Sequence, residues 1–175
     1  MEFKNQNFYD ERGRLIGGHE YFTENGITYN RSFDGDRATV ALEAVEADPD
    51  LCGTVILHRD LTHVGDSAFY NCRRITRVVL PEHLESIFEC AFQGCSALEE
   101  VVLPGDVGMD YGVFAGCNSL RRLRYTGSCD AKITTVCLSC ATESYEQLRG
   151  LTLCAPAGSG AEEAARTLGC AFKAV

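Results

Sequence analysis

The sequence predicts an α/β solenoid, a fold in which short repeated units stack and build a parallel β-sheet. Three observations favour it. The motif AFYNC at residues 68–72 returns as AFQGC at residues 91–95 and as VFAGC at residues 113–117. Each copy follows a short β-prone run and a polar turn. The steps from Phe69 to Phe92 and from Phe92 to Phe114 are 23 and 22 residues. Units this short cannot bury an apolar face alone, so they must stack.

Stacking turns each sequence column into a row of side chains about 4.8 Å apart. A period of 20–29 residues with one short strand per unit is typical of leucine-rich repeats. The predicted inward rows of the sheet are Cys52, Ile75, Leu98 and Leu120, then Val55, Val78, Val101 and Leu123, then Leu57, Leu80, Leu103 and Tyr125. The opposite wall is predicted to hold Leu61, Leu84, Val107, Val64, Ile87 and Met109. The three motif Phe residues are expected to form an aromatic spine.

These motifs carry a resemblance. The pattern I-x-x-x-A-F-x-x-C-x-x-L-x-x-V-x-L-P over residues 52–126 resembles the BspA-like leucine-rich repeat family of bacterial proteins. The C-terminal LCAPAGSGAEEAARTLGCAFKAV resembles the helix and final strand that end such proteins. The resemblance implies a non-catalytic surface protein that binds host or neighbouring macromolecules.

The chain is expected to form one domain in three parts. Residues 1–51 are predicted to be an N-terminal β cap, with one hairpin around Asp34-Gly35-Asp36 and another around Arg12-Gly13. Residues 52–126 are the repeats of 22–23 residues, and residues 127–175 are a degenerate repeat with a C-terminal cap.

The C-terminal part is predicted from local signals. A short helix is expected near residues 143–149, ended by Gly150 and followed by a strand at residues 151–153. A second helix is expected to begin with a capping box at Ser159 and Glu162 and to end at Gly169, before a strand at residues 171–175.

Charge and hydropathy exclude several classes of protein. The formal net charge is −9, and residues 1–51 supply −6 of it, so binding of nucleic acid is not expected. No apolar run is long enough for membrane insertion, and the charged opening lacks a signal peptide. The sequence as it stands therefore predicts a cytoplasmic protein, whereas the family resemblance implies a cell-surface or secreted one.

Ten cysteines raise the question of a metal site. Cys72, Cys95 and Cys117 occupy one repeat column, which favours small apolar residues at a tight inward turn. Cys137 and Cys140 form a C-x-x-C, for which Cys129 and Cys154 are the nearest further zinc ligands. Incidental cysteines on a degenerate repeat are the favoured interpretation, so no metal and no cofactor are predicted.

Catalytic motifs are absent from the sequence, which favours a protein that is not an enzyme. The histidines occupy different repeat columns, so no stacked Cys/His couple is predicted. Asp60, His83 and Asp106 do align in one column. If those turns stack, they form either a pH-sensitive or weakly metal-binding edge or an ordinary solvated turn.

The residues between the inward positions are predicted to form a binding face. An apolar row of Ile56, Val79 and Val102 ends at Arg124, beside a row of Thr54, Arg77, Glu100 and Arg122. The expected ligand is a protein or other macromolecule of unknown identity. Two alternatives stay open: the apolar row reflects β-propensity alone, or the face serves self-association of a structural subunit.

Overall fold

The computed structural model describes residues 4–142 and 144–175. The strands in this part are β1 (Gln6–Tyr9), β2 (Leu15–Glu24), β3 (Ile27–Asp34), β4 (Thr39–Ala47), β5 (Cys52–Ile56), β6 (His63–Val64), β7 (Arg74–Val79), β8 (Ser86–Ile87), β9 (Glu100–Leu103), β10 (Gly108–Met109), β11 (Arg122–Tyr125), β12 (Thr152–Ala155) and β13 (Ala171–Ala174). The helices are α1 (Ala131–Ala141), α2 (Tyr145–Arg149) and α3 (Gly160–Leu168).

The repeat strands build a six-stranded parallel sheet in the order β13-β12-β11-β9-β7-β5. The register pairs Val55 with Val78, Val78 with Val101 and Val101 with Leu123, as the repeat alignment predicted. All four side chains are buried because strand alternation turns them toward the core. The predicted parallel sheet is therefore present.

A seven-stranded sheet forms the opposite wall in the order β1-β2-β3-β4-β6-β8-β10. Its repeat strands β6, β8 and β10 are parallel and two residues long. Strands β1 to β4 are antiparallel, and the turn predicted at Asp34-Gly35-Asp36 joins β3 to β4. Strand β4 pairs with β6, so the N-terminal strands extend this wall and leave β5 as an outer strand of the six-stranded sheet.

The core lies between the two walls. The opposite-wall residues predicted from the repeat, from Leu61 to Met109, are all buried. The rings of Phe69 and Phe92 stack with centroids 4.8 Å apart, and those of Phe92 and Phe114 with centroids 6.0 Å apart. The aromatic spine is confirmed.

The motif cysteines, called here the cysteine column, form hydrogen bonds from one repeat to the preceding one. The Cys95 thiol donates to the carbonyl of Phe69 at 3.2 Å, and the Cys117 thiol donates to that of Phe92 at 3.1 Å. At the next level the Gln147 side-chain amide donates to the carbonyl of Phe114 at 2.7 Å. Gln147 thus takes the place of a fourth cysteine, and α2 occupies the position of a further repeat.

Two local predictions need correction, and a third is confirmed. Cys52 was predicted to point inward, yet it is exposed. The register shifts next to Gly53, so Cys52 pairs with Arg74 instead of Ile75. Residues 131–141 form a helix that the repeat pattern did not predict. The short helix predicted near residues 143–149 is present as Tyr145–Arg149, while position 143 lies outside the described residues.

The predicted capping box of α3 is wrong in its contacts. The Ser159 side chain makes no capping hydrogen bond. The Glu162 carboxylate instead accepts from the N–H of Gly158 at 2.9 Å. The helix ends at Gly169 as predicted, because this residue adopts a φ of 71° and the left-handed region favours glycine.

Candidate functional site

The candidate site is the face of the six-stranded sheet that points away from the core, called here the open face. Register and alternation place two rows of side chains on it. The polar row is Thr54, Arg77, Glu100, Arg122, Thr152 and Ala171. The mixed row is Ile56, Val79, Val102, Arg124, Cys154 and Lys173. All seven sequence-predicted binding residues therefore lie side by side on one surface.

Glu100 organises the polar row. Its two carboxylate oxygens accept from Arg77 Nε at 3.1 Å and from Arg122 Nε at 2.9 Å. Burial by itself would raise the pKa of Glu100, but the two guanidinium groups outweigh it and hold the pKa below its usual value. The carboxylate is thus charged at neutral pH and fixes both arginines in place across three strands.

The apolar part of the mixed row grades from exposed to buried. Ile56 on the outer strand β5 is 70% exposed, and Val79 is half-buried. Val102 was expected to be accessible but is only 6% exposed, because it lies on the inner strand β9 between Val79 and Arg124. These residues line a groove of about 610 Å³ together with Pro81 and Thr126. Arg59, Asp60, Glu82 and His83 line the same groove.

Cys154 lies apart from the other described zinc candidates. Cys154 lies on the open face between Arg124 and Lys173, while its strand neighbours Leu153 and Ala155 enter the core. Cys129 and Cys137 instead pack on the core side. The side chain of Cys140 lies outside the described residues. No group of three or more His, Cys, Asp or Glu in metal-binding geometry occurs among the residues that the structure describes.

Burial raises the pKa of three cysteine thiols, of which only Cys129 is a zinc candidate. It raises the pKa of the Cys129 thiol, although the N–H of Ala161 at the start of α3 acts in the opposite direction. Burial raises the pKa of Cys170 as well, and it raises that of Cys72 in the cysteine column to about 12. Thiols with raised pKa values stay protonated at neutral pH, and protonated thiols are poor nucleophiles.

The column of Asp60, His83 and Asp106 divides in the structure: Asp60 and His83 both line the groove beside Ile56 and Val79, whereas Asp106 does not. Asp106 accepts from the N–H of Asp130 at 2.8 Å and from the Thr134 hydroxyl at 3.4 Å, so it supports the start of α1. Asp60 instead lies 3.6 Å from Arg59 Nε. The two carboxylates thus have different neighbours, and the pH-sensitive or weakly metal-binding edge stays a prediction.

The sequence prediction missed the far end of the open face. Strands β12 and β13 continue both rows and add the exposed Lys173 beside Cys154. The alternation of Leu151, Leu153 and Ala155 was a usable signal for it. The 30-residue step from Arg122 to Thr152 concealed this signal, because α1 and α2 lengthen the repeat.

A comparison with protein families finds one whose repeat unit matches the chain. The model of the BspA type leucine rich repeat region matches residues 51–142, in six copies. The match covers slightly more than half of the chain. No curated protein matches.

Three solved structures resemble the chain at low sequence identity and low TM-score. A leucine-rich cell surface protein from Faecalibacterium prausnitzii is 15% identical with a TM-score of 0.36, over 62% of this chain and 40% of that one. A leucine-rich repeat protein from Bacteroides ovatus is 17% identical with a TM-score of 0.42, over 91% and 36%. The pneumococcal vaccine antigen PcpA is 11% identical with a TM-score of 0.46, over 95% and 49%. The chain thus spans less than half the length of each.

Within residues 4–142 and 144–175, no helix is long and apolar enough to cross a membrane.

Proposed function

Because the chain belongs to the BspA-type leucine-rich repeat family, we propose that it is a non-catalytic module that binds another macromolecule through the open face, at or outside the cell surface. One observation carries the proposal: the Ile56 side chain is 70% exposed on the sheet, and together with Val79 it lines a groove. A large apolar side chain held at that exposure on a β-sheet is a candidate contact for a partner.

The geometry of the site supports binding more than catalysis. The only carboxylate in the two rows of the open face, Glu100, is held charged between two arginines and is unsuited to act as a general acid or base. Fixed, ordered side chains on a rigid scaffold lose little conformational entropy when a partner docks.

The ends of the chain are proposed to act as caps. Strands β1 to β4 lie at the N-terminal end of one wall, and Ala161, Ala164 and Ala165 of α3 are buried in the core at the other end. Both arrangements suit the need of a repeat stack to cover its terminal apolar surfaces.

The proposal is tested by Ile56→Asp in an affinity capture from host extracellular proteins and from lysate of the producing cell. The matched control is Val40→Asp, since Val40 is 67% exposed on β4 of the other wall. We expect Ile56→Asp to remove the captured partners and Val40→Asp to retain them. If every captured partner still binds the Ile56 variant, the open face is not the binding surface.

Self-association is a second candidate, favoured by the sheet order. Strands β5 and β13 are the outer strands of the six-stranded sheet, and unpaired strand edges are templates for pairing between copies. Light scattering over a wide concentration range decides the matter. A mass that rises with concentration supports self-association, whereas a constant monomer mass excludes it.

A further inference from the structure

The mixed row of the open face changes character halfway along. From β5 to β9 it is apolar, with Ile56, Val79 and Val102. From β11 to β13 it is cationic, with Arg124 and Lys173 on either side of the buried Cys154. The two halves are held in line by continuous parallel pairing, so their order is fixed by the fold.

The open face is positive although the chain is negative. Its two rows carry four cations, Arg77, Arg122, Arg124 and Lys173, against the single carboxylate of Glu100, which gives +3. The whole chain carries −9. A local field opposite in sign to the net charge attracts anionic groups to this surface and keeps them away from the rest.

Within that field, the charges of the cationic half are available to a ligand. Arg77 and Arg122 share Glu100, whereas Arg124 and Lys173 form no ion pair within the described part of the chain. Both side chains are exposed at the surface. Carboxylates that reach this half therefore meet two cations that are not already neutralised.

The length of the row sets the size of the ligand. Six strands at a spacing of about 4.8 Å span about 24 Å, and an extended polypeptide rises about 3.4 Å per residue. About seven extended residues thus cover the row from Ile56 to Lys173.

Resting on the proposed function of this face, we infer that its ligand is an extended polypeptide segment lying across the strands, with apolar side chains over Ile56 and Val79 and carboxylates over Arg124 and Lys173. The apolar half favours a polypeptide over an anionic polysaccharide, which offers no aliphatic side chains to the groove. Neither row holds an aromatic ring on which sugars or bases stack.

The test uses fluorescein-labelled heptapeptides with blocked ends, titrated with the full chain and followed by fluorescence anisotropy. The probe is Leu-Val-Leu-Ser-Glu-Glu-Glu. One comparison peptide has the same composition in interleaved order, and another replaces each Glu by Lys. We expect the probe to bind more tightly than both, and to bind more weakly as the ionic strength rises from about 0.05 to 0.5 M.

Two double variants locate the binding. Arg124→Glu with Lys173→Glu is expected to weaken probe binding at least about tenfold. Arg12→Glu with Lys132→Glu makes the same change of charge at exposed positions off the open face, and it is expected to leave binding unchanged. Circular dichroism of both variants checks that they fold, and the interleaved peptide tests the inference independently of either variant.

The inference is overturned if no heptapeptide binds, if the interleaved peptide binds as well as the probe, or if heparin competes for the face more tightly than the probe. None of these results overturns the proposed function, which fails only if captured partners are indifferent to Ile56→Asp. The two failures are therefore distinguishable.

Discussion

At the scale of single residues, Glu43 is a carboxylate in surroundings that disfavour its charge. It lies on β4, where it pairs with His63 of β6, and its carboxylate packs over Gly65, so that a Cβ there would lie 2.6 Å from Oε1. Burial is the main cause that raises the pKa of Glu43, and repulsion from Asp66 adds to it, while His63 and His19 act in the opposite direction.

This shift has a consequence for stability. A carboxyl whose pKa is raised in the folded state stabilises the fold fully below its unfolded value of 4.5, and this contribution is lost as the pH rises through the folded value. We therefore expect Glu43→Gln to raise the melting temperature at pH 7 and to have a smaller effect near pH 4. The exposed Glu46→Gln on the same strand is the control. Thermal unfolding in which both variants behave alike at pH 7 would contradict the prediction.

At the scale of elements, the aromatic spine couples one repeat to the next. Phe92 is fully buried between two stacked rings, and its N–H donates to the carbonyl of Val113 in the following repeat at 3.0 Å. We expect Phe92→Ala to reduce the free energy of unfolding by about 3–5 kcal/mol, because the cavity is walled by both neighbours and cannot collapse. Tyr111→Ala, at a side chain 69% exposed, is expected to cost no more than about 0.5 kcal/mol. Guanidinium unfolding measures both, and near-equal losses would mean that the spine is unimportant.

The sequence predicted the repeat strands well and the connecting turns poorly. The strands follow from apolar periodicity, which burial enforces at every level. The turns depend on left-handed backbone at two columns of the repeat. The first column is Ser67, Cys90 and Gly112, with φ of 55°, 56° and 67°. The second column is Asn71, Gly94 and Gly116, with φ of 59°, 76° and 71°. Ser and Cys rarely adopt this conformation, so the first column does not show in the residue types, whereas the Asn and Gly of the second column are the residues that favour it.

Helix α1 was missed for a different reason. Its segment AKITTVCLSCA is rich in β-branched residues, which lower helix propensity. Tertiary contacts override this preference: the carbonyl of Ala141 accepts the Phe114 N–H at 2.8 Å, as the next repeat would. The Asp130 side chain, which accepts from the N–H groups of Lys132 and Ile133, was the available signal for the start of α1.

The candidate site was predictable in its membership and less so in its exposure. Strand alternation alone places Ile56, Arg77 and Arg124 on one face. It does not tell an outer strand from an inner one, and this difference leaves Ile56 70% exposed and Val102 only 6%. Strand order is a property of the assembled sheet, so it became visible only in the structure.

At the scale of the whole molecule, the buried side chains form one unbroken cluster from Ile27 on β3 to Leu168 on α3. No polar layer divides it within the described residues, and each level contacts the next through the spine and the paired strands. In a stack of so few units, the contacts between neighbouring repeats supply most of the stability. When one end unfolds, the adjacent repeat loses its packing partner, and each further repeat then loses its own in turn. The chain is expected to unfold as a single cooperative unit.

The last prediction tests that coupling from the C-terminal end. Ala164 of α3 is fully buried, so Ala164→Asp places an unpaired carboxyl in the core and is expected to cost about 3 kcal/mol or more. Ala157→Asp makes the same change at an exposed position of the loop before α3 and should cost about 0.5 kcal/mol or less. Hydrogen exchange supplies the decisive measurement, because the Phe69 N–H, which bonds to the carbonyl of Ala91, lies several repeats away from α3. In a single cooperative unit its protection falls as far as that of Leu153; unchanged protection at Phe69 would show instead that the N-terminal repeats fold independently of the C-terminal helix.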